Sequence, residues 1–267
     1  MKFNERTVLS EDLKHFGAIW HFVRHKKIAG LIGRMDGKRV LDMGCGIGLL
    51  DFLILDKEVV GLDVNVKAVK EAKRIARLLE SKVNGTWSFI VADMHCLPLR
   101  ERFDAIVVSE VLEHLEDDMQ ALKYTLQFLE KDGFLVIAFP NKLRLSSRQI
   151  VTLKHGKMFM HSDHIREYTV EDVCRFSRFL SLKMKHLGGS YLDFPLFRIF
   201  DGAFYAFRKI GCSTLLDILV SVYAAMYRLY ESFWSMLEKL FWHHAFYIIA
   251  VLQKPPNDQV REYPNTP

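Results

Sequence analysis

The stretch Arg39-Val40-Leu41-Asp42-Met43-Gly44-Cys45-Gly46-Ile47-Gly48 decides the fold of this chain. Its first half is a short apolar run typical of a buried strand, and its three glycines at alternate positions indicate a tight turn. The apolar residues 49–55 that follow predict a helix. Glycines let the backbone approach a ligand closely, and the start of a helix offers unpaired N–H groups. This stretch therefore predicts a strand, a glycine turn and a helix that bind the polar or charged end of a ligand.

The spacing of the glycines narrows the choice of ligand. Gly44, Gly46 and Gly48 form G-x-G-x-G, whereas a dinucleotide fingerprint has its third glycine one residue later. Asp42 stands two residues before the first glycine, where a carboxylate repels phosphates but attracts an ammonium or sulfonium group. S-adenosylmethionine (SAM) carries both cations, so we favour SAM over a dinucleotide. A tight turn that binds no ligand is the alternative.

Residues 41–48 read L-D-M-G-C-G-I-G and resemble the first motif, L-D-x-G-C-G-x-G, of the class I SAM-dependent methyltransferases. The resemblance implies that SAM is the cofactor and that S-adenosylhomocysteine (SAH) is its product. It also implies which residues this segment contributes to the cofactor site. They are Asp42, Gly44, Cys45, Gly46 and Gly48.

Acidic residues end the next two predicted strands. Residues 58–63 predict the second strand, which ends in Asp63, and an ionised carboxylate there can accept hydrogen bonds from both hydroxyls of a ribose. A third predicted strand is followed by Asp93 and Met94. The resemblance implies that Asp93 meets the adenine amine and that a neighbouring backbone N–H meets the ring. A cap for the next turn is the alternative role of Asp93. We place Val64 in the same cofactor site.

The fourth predicted strand, residues 103–109, opens directly into Glu110. Ser109 and Glu110 complete the predicted cofactor site. A further helix and a fifth strand, residues 134–139, follow. Strands that alternate with helices predict an α/β fold with a parallel sheet, whose ligands bind at the carboxyl ends of the strands.

Residues 164–169, H-I-R-E-Y-T, resemble the segment before the sixth strand in the ubiquinone-biosynthesis O-methyltransferase branch of the type 11 methyltransferase domain. The resemblance implies a sixth strand at residues 182–187. It also implies a seventh strand, residues 245–252, which is inserted antiparallel. The expected fold is a Rossmann-like, seven-stranded, mostly parallel sheet with helices on both faces.

The chain divides into five predicted regions. They are N-terminal capping helices at residues 1–34 with a helical pattern in 11–32, a methyltransferase core at 35–190, a helical insertion at 191–243, the last core strand at 244–254 and a disordered tail at 255–267. The insertion is strongly apolar, but charged residues interrupt it and argue against a transmembrane helix. Core packing, a tunnel for a lipid-like substrate, membrane contact and a dimer interface all remain open for it.

Composition restricts the class of protein. With 267 residues, 50% of them hydrophobic, the chain can bury one elaborated domain. The net charge of +5 includes a basic segment at residues 142–157, which suits an anionic substrate or a membrane surface; a solvated basic face is an equal alternative. We expect no nucleic-acid partner. Four cysteines without C-x-x-C spacing and a charged N-terminus without a signal segment predict a cytoplasmic protein.

Methyl transfer from a sulfonium needs alignment and, for an oxygen or nitrogen acceptor, a base. We assign His114 and His164 as catalytic residues; His161 is a further candidate, and a structural role is the alternative for each. Glu110, Glu113 and His114 also resemble a magnesium site of some O-methyltransferases. We do not favour magnesium, and we assign no metal ligand.

The sequence therefore predicts a SAM-dependent methyltransferase that acts on a partly apolar small molecule or a lipid-like substrate. Oxygen is the favoured acceptor atom, with nitrogen and carbon left open. Expected partners are the substrate, a membrane surface in peripheral contact, and in a homodimer a second copy bound through residues 191–243. The alternative from another class is a catalytically inactive cofactor-binding scaffold that activates a partner methyltransferase.

Overall fold

The structure is a computed structural model. It describes residues 2–16, 19–80, 83, 85–144, 164–192 and 235–256, together with eight positions between 218 and 228. Several predictions from the sequence lie outside the described residues. They concern His161, most of the basic segment, most of the insertion and residues 257–267 of the predicted tail.

The centre of the molecule is a seven-stranded sheet. Its strands are β1 (Arg39–Met43), β2 (Glu58–Asp63), β3 (Thr86–Val91), β4 (Phe103–Ser109), β5 (Leu129–Pro140), β6 (Lys183–Ser190) and β7 (Tyr247–Gln253). Their spatial order is β3-β2-β1-β4-β5-β7-β6, and all neighbours are parallel except β7, which runs antiparallel to β5 and β6. The predicted mostly parallel sheet with an antiparallel last strand is confirmed.

Helices cover both faces of the sheet. They are α1 (Phe3–Phe16), α2 (Ile19–Ile32), α3 (Val66–Glu80), α4 (Asp118–Thr125), α5 (Val170–Phe179) and α6 (Ser235–Phe241). Successive side chains of a strand point to opposite faces, so Val40 and Val107 belong to the core under α1, α2 and α3, whereas Leu41 and Ile106 belong to the core under α4 and α5. All four of these side chains are fully buried.

Two helices form where local chemistry predicts them. Asn65 begins α3, because its Oδ1 accepts hydrogen bonds from the backbone N–H groups of Lys67 at 3.0 Å and Ala68 at 3.3 Å. Thr169 begins α5 through a capping box with Asp172, whose Oδ2 accepts from the Thr169 backbone N–H at 2.8 Å. These caps satisfy N–H groups that the first turn of a helix leaves unpaired.

The helix predicted for residues 49–55 is wrong. The structure has only a 3-10 turn there, Asp51–Leu53, before the chain enters β2. Leu49, Leu50, Phe52 and Ile54 are all buried, so the segment has no polar face to turn toward solvent. α1 anchors the turn, since the Asn4 side-chain amide donates to the carbonyl of Phe52 at 3.0 Å. The glycine turn is therefore not followed by the helix start that the sequence led us to expect.

Two helices, α1 and α2, form the described N-terminal region. They pack against each other and against the 3-10 turn. Residues 17 and 18, between them in the sequence, lie outside the described residues.

The described part of the predicted insertion contacts the N-terminal helices. The eight described positions between 218 and 228 are helical, and Val220 and Tyr227 are buried in the core that α1 and α2 share. The Tyr227 ring packs edge-on against Phe22 of α2, with ring centroids 5.1 Å apart. Among the described helices, none combines the length and the apolar character needed to cross a bilayer. A place for the whole insertion over a substrate stays a prediction.

Candidate cofactor and substrate site

The glycine loop, residues 44–48, lies against the end of β2. Gly44, Gly46 and Gly48 have φ angles of 76°, 55° and 78°, in the left-handed region that glycine adopts without strain. The backbone N–H groups of Gly44 and Cys45 both donate to the Leu62 carbonyl, at 2.8 and 2.9 Å. A Cβ at position 44 would lie 2.4 Å from a methyl carbon in the turn after β4. The neighbouring strands therefore fix the conformation of the loop.

Asp63, at the end of β2, holds the glycine loop from the other side. Its Oδ2 accepts a hydrogen bond from the Gly46 backbone N–H at 2.9 Å, and its Oδ1 accepts from Asn65 at 2.8 Å. These donors fix the carboxylate, whose remaining lone pairs can accept hydrogen bonds from ribose hydroxyls. A Cβ at Gly46 would meet nothing within 4 Å, so the loop has an open outer side next to Asp63. This cradle fits the sugar of an S-adenosyl ligand.

Asp42 lies beneath the glycine loop and not at its mouth. It is 3% exposed, and its carboxyl group interacts with that of Asp51, which is 0% exposed. Burial raises the pKa values of both Asp42 and Asp51, and each carboxyl group disfavours ionisation of the other. Burial also raises the pKa of the neighbouring Cys45 thiol, so this cysteine is not a reactive thiolate. The two carboxyl groups place negative charge close to where a cationic ligand would bind.

The end of β3 forms the side of the site predicted for adenine. Val64 is 64% exposed and can cover one face of a flat ring, whereas the Met94 side chain is buried. Asp93 Oδ1 accepts a hydrogen bond from the His95 backbone N–H at 2.9 Å and also contacts His95 Nδ1 at 2.9 Å. These hydrogen bonds from His95 lower the pKa of Asp93. Asp93 therefore caps the turn through Oδ1, and its contact with adenine stays a prediction.

The turn after β4 brings Ser109 and Glu110 to the same edge of the sheet. Glu110 has a φ angle of 59°, uncommon for a residue with a side chain, and its backbone N–H donates to the Ala138 carbonyl at 2.9 Å. Its Oε2 lies 3.1 Å from Nη1 of Arg24, which reaches it from α2. Ser109 Oγ is buried and has no protein hydrogen-bond partner within the described residues. Arg24 is thus one observed partner of Glu110, and a contact of Ser109 or Glu110 with the cofactor stays a prediction.

His114 and His164, the two residues assigned as catalytic from the sequence, lie side by side, and their catalytic role stays a prediction. Their ring centroids are 4.9 Å apart in an edge-on arrangement, and His114 is exposed while His164 is half-buried. The Ile165 backbone N–H donates to the Glu113 carbonyl at 2.8 Å, and the Tyr168 hydroxyl oxygen lies 2.9 Å from the carbonyl oxygen of Leu112. These contacts hold the segment after residue 163 against the turn that carries His114.

The Glu113 side chain lies between the two histidines and the Arg24–Glu110 pair. It is fully buried, and burial together with the negative charge of Glu110 raises its pKa to about 9. The surroundings of Glu113 therefore favour its neutral form over its ionised form. One ligand atom each from Glu113, His114 and His164 lies within 4.8 Å of the other two, which is close enough for a shared cation. A metal at these residues nevertheless stays an alternative.

Sequence reasoning missed two charged residues of this site, Arg24 and Asp51. Arg24 is 4% exposed and its guanidinium lies 4.4 Å above the Tyr247 ring, although the sequence placed it only among surface cations. Asp51 is the single acid in the apolar residues 49–55. A lone charge inside a buried apolar run was the available signal for Asp51, because such a residue needs a partner.

The profile of a family described as "Methyltransferase domain" matches residues 34–176, more than half of the chain. The chain belongs to this methyltransferase family. The matched residues contain the glycine loop, Asp63, Asp93 and the pair His114 and His164. SAM is the cofactor of the family, and the prediction of a SAM-dependent, Rossmann-like methyltransferase is confirmed.

The chain is similar to individual proteins of known name over part of its length. The methyltransferase is 31% identical over 119 residues to a ubiquinone biosynthesis O-methyltransferase of Alkalilimnicola ehrlichii, an alignment of 43% of this chain and 47% of that protein. It is 26% identical over 175 residues to the Aeromonas salmonicida enzyme of the same name, an alignment of 62% of this chain and 72% of that protein. The chain thus spans about half the length of the first of these relatives.

A solved structure shares the fold. The magnesium protoporphyrin IX methyltransferase from Synechocystis PCC 6803, crystallised with bound SAH, aligns with a TM-score of 0.55 at 15% identity, over 87% of this chain and 84% of that one. At this identity the likeness shows the architecture alone.

Replacing Asp63 with alanine is expected to weaken SAM binding by at least tenfold, about 1.4 kcal/mol. The substitution removes the proposed ribose acceptor and the partner of the Gly46 N–H group. Calorimetric titration with SAM and SAH measures the loss for both ligands. Asp36→Ala, at an exposed position before β1, is the matched control and should bind as the unaltered protein does. Unchanged affinity in Asp63→Ala would remove this carboxylate from the site.

Proposed function

We propose that this methyltransferase transfers the methyl group of SAM to an oxygen atom of a partly apolar small molecule or lipid-like substrate. Two features at the carboxyl edge of the parallel strands carry the proposal, namely the pair of His114 and His164 and an aromatic cluster that begins at Tyr247. SAM supplies the methyl group on a sulfonium. The chain's own residues then have three tasks, which are to hold the cofactor, to line the pocket for the acceptor and to remove a proton from it.

The two histidines supply the proton acceptor in this proposal. A neutral imidazole accepts a proton from a hydroxyl as the new bond forms, and its ordinary pKa suits neutral pH. His114 is exposed at the end of the turn after β4, and His164 packs edge-on against it. We assign His114 as the base because it is the more accessible of the two, and His164 as the residue that orients it.

An aromatic cluster supports an acceptor with an apolar part. Trp20 stacks on Phe246 with ring centroids 5.5 Å apart, and Tyr191 and Tyr247 lie 6.5 and 4.9 Å from the same ring. Tyr247 pairs with Pro140 at the carboxyl end of β5 and also touches Arg24, which connects the cluster to the acidic turn after β4. Trp20 and Phe246 are only partly buried. Flat apolar groups therefore have aromatic surface to bind beside the candidate base.

A metal-assisted version of the same reaction is the second candidate. Glu113, His114 and His164 would hold the ion, which would lower the pKa of an acceptor hydroxyl. Two imidazoles suit a transition metal better than magnesium, which prefers oxygen ligands. Glu113 would have to lose a proton to bind a cation, because burial raises its pKa to about 9. We therefore favour the metal-free version.

The test is to follow a labelled methyl group. The protein is incubated with labelled SAM and an extract of host lipids and small molecules, and mass spectrometry identifies the product and its acceptor atom. We expect label in the organic phase with the unaltered protein and none with His114→Ala. Intact SAM binding without any labelled product would favour the inactive scaffold, and label confined to polar compounds would contradict the apolar acceptor.

The predicted insertion enters this proposal as a cover for the acceptor. Ile218 and Val222 expose apolar side chains although Val220 and Tyr227 of the same segment are buried against α1 and α2, and Leu240 of α6 is exposed as well. A membrane and a second copy of the chain are the two other partners that this exposed apolar surface could contact. Liposome flotation and light scattering of the whole protein, with and without substrate extract, separate these three outcomes.

A further inference from the structure

The acidic residues on either side of the glycine loop meet beneath it. Asp42 comes two residues before Gly44, and Asp51 comes three residues after Gly48. Asp51 lies in the 3-10 turn that replaces the expected helix, and the Trp87 indole N–H fixes this turn by donating to the Asp51 backbone carbonyl at 2.8 Å. The loop is thus closed underneath by two carboxyl groups, one from each of its ends.

The pair is tightly enclosed. A Cβ added to Gly61 of β2 would lie 2.8 Å from Asp51 Oδ2 and 2.9 Å from Cys45 Sγ, so the absence of a side chain there makes room for the carboxyl group. Within the described residues no donor group reaches either Asp51 oxygen. The charged or titratable groups acting on the pair are Asp63 of β2, Arg24 of α2 and the Cys45 thiol. Only Arg24 among these is a cation.

Two carboxyl groups in contact and out of water cannot both ionise without a further cation. The pair therefore holds one proton in the absence of a ligand. The two buried carboxyl groups share that proton, because each disfavours ionisation of the other. The pair then carries one negative charge below a loop whose outer side is open.

We propose that Asp51 is a positioning residue for the cofactor, which gives up the shared proton of the Asp42–Asp51 pair when a cationic S-adenosyl ligand occupies the glycine loop. The proton passes to solvent, and the second negative charge left on the pair balances the sulfonium. SAH lacks the sulfonium, so the pair retains its proton when SAH is bound. The pair thereby favours SAM over its product, and this inference rests on the SAM binding of the proposed function.

The test is to count protons during binding. Calorimetric titration of the whole protein with SAM at pH 7, in phosphate and in Tris, gives the number of protons released from the dependence of the heat on buffer ionisation. We expect SAM to release roughly half a proton or more beyond what SAH releases. In Asp51→Asn the excess should vanish, and the ratio of SAM to SAH affinity should fall by about threefold or more.

Controls make the outcomes distinct. The amine of each ligand also titrates near neutral pH, but equally with every protein, so only the difference between proteins counts. Asp56→Asn, an exposed acid five residues along the chain, should match the unaltered protein. The inference is overturned if Asp51→Asn retains the excess release of the unaltered protein. Asp42→Asn removes the other carboxyl group of the pair and provides the same comparison where Asp51→Asn does not fold. A protein that binds no SAM at all overturns the proposed function and this inference together.

Discussion

Replacing Arg24 with alanine is expected to lower the free energy of unfolding by about 3–5 kcal/mol, because it leaves buried acids without their cation. Arg24 is 4% exposed, lies 3.1 Å from the Glu110 carboxylate and packs 4.4 Å from the centre of the Tyr247 ring. Its charge also acts on Asp12 of α1 and on Glu113. Denaturant unfolding measures the loss, and the exposed Arg77→Ala on α3 is the control, expected within about 0.5 kcal/mol of the unaltered protein.

The pH dependence of this loss identifies its cause. Protonating an unpaired carboxylate costs less free energy at lower pH. The stability lost in Arg24→Ala should therefore be smaller at pH 6 than at pH 8. The double variant Arg24→Met with Glu110→Gln should regain at least half of the lost stability, because it removes both charges and fills the space. A loss that is independent of pH and unchanged in the double variant would assign Arg24 to packing alone.

Patterns with a local cause were predictable from the sequence. α3, Val66–Glu80, and α5, Val170–Phe179, each follow a capping residue and have a clear apolar face. β2 spans Glu58–Asp63, the range predicted for the second strand. The carboxyl ends of parallel strands share one edge of the sheet, so the order of strands and helices along the chain was enough to place site residues from different strands together.

Features that depend on tertiary packing were not predictable in the same way. Residues 49–55 are apolar on every side, and a pattern without a polar face does not distinguish a helix from an irregular buried segment. Because α1 and α2 pack against this segment, it forms only a short 3-10 turn. Arg24 likewise lies in a helix with a weak pattern, and only the arrangement of α2 against β4 and β7 shows that its charge is buried.

The closeness of His164 to His114 was only partly predictable. The two residues are separated by fifty positions, and the sequence placed them merely on opposite sides of one pocket. The contact depends on Tyr168, whose hydroxyl donates to the Asp118 carboxylate at 2.7 Å, and on Arg166, whose Nη1 lies 3.0 Å from Asp118. Tyr168 is buried and Arg166 is half-buried. Sequence patterns do not connect such polar groups with Asp118, so the contact between the two histidines could not be predicted.

His114→Ala is expected to reduce turnover by a factor of about a hundred or more while SAM affinity changes by less than about twofold. The physical reason is the loss of the proton acceptor next to the acceptor hydroxyl, at a place separate from the glycine loop and Asp63. Single-turnover formation of the labelled product and calorimetric binding of SAM measure the two quantities independently. His15→Ala, at an exposed position on α1, is the control and should retain full turnover.

Glu113→Gln then decides between a base and a metal. Glutamine resembles the neutral acid that the raised pKa of Glu113 indicates, so a metal-free site should keep turnover within about threefold. A metal ligand cannot be replaced in this way, because the amide carries no negative charge and binds divalent cations weakly. Dialysis against a chelator should likewise leave turnover unchanged. If turnover falls on chelation and in Glu113→Gln, and an added divalent ion restores it in the unaltered protein, then Glu113, His114 and His164 hold a metal ion, and the proton is removed from a metal-bound hydroxyl.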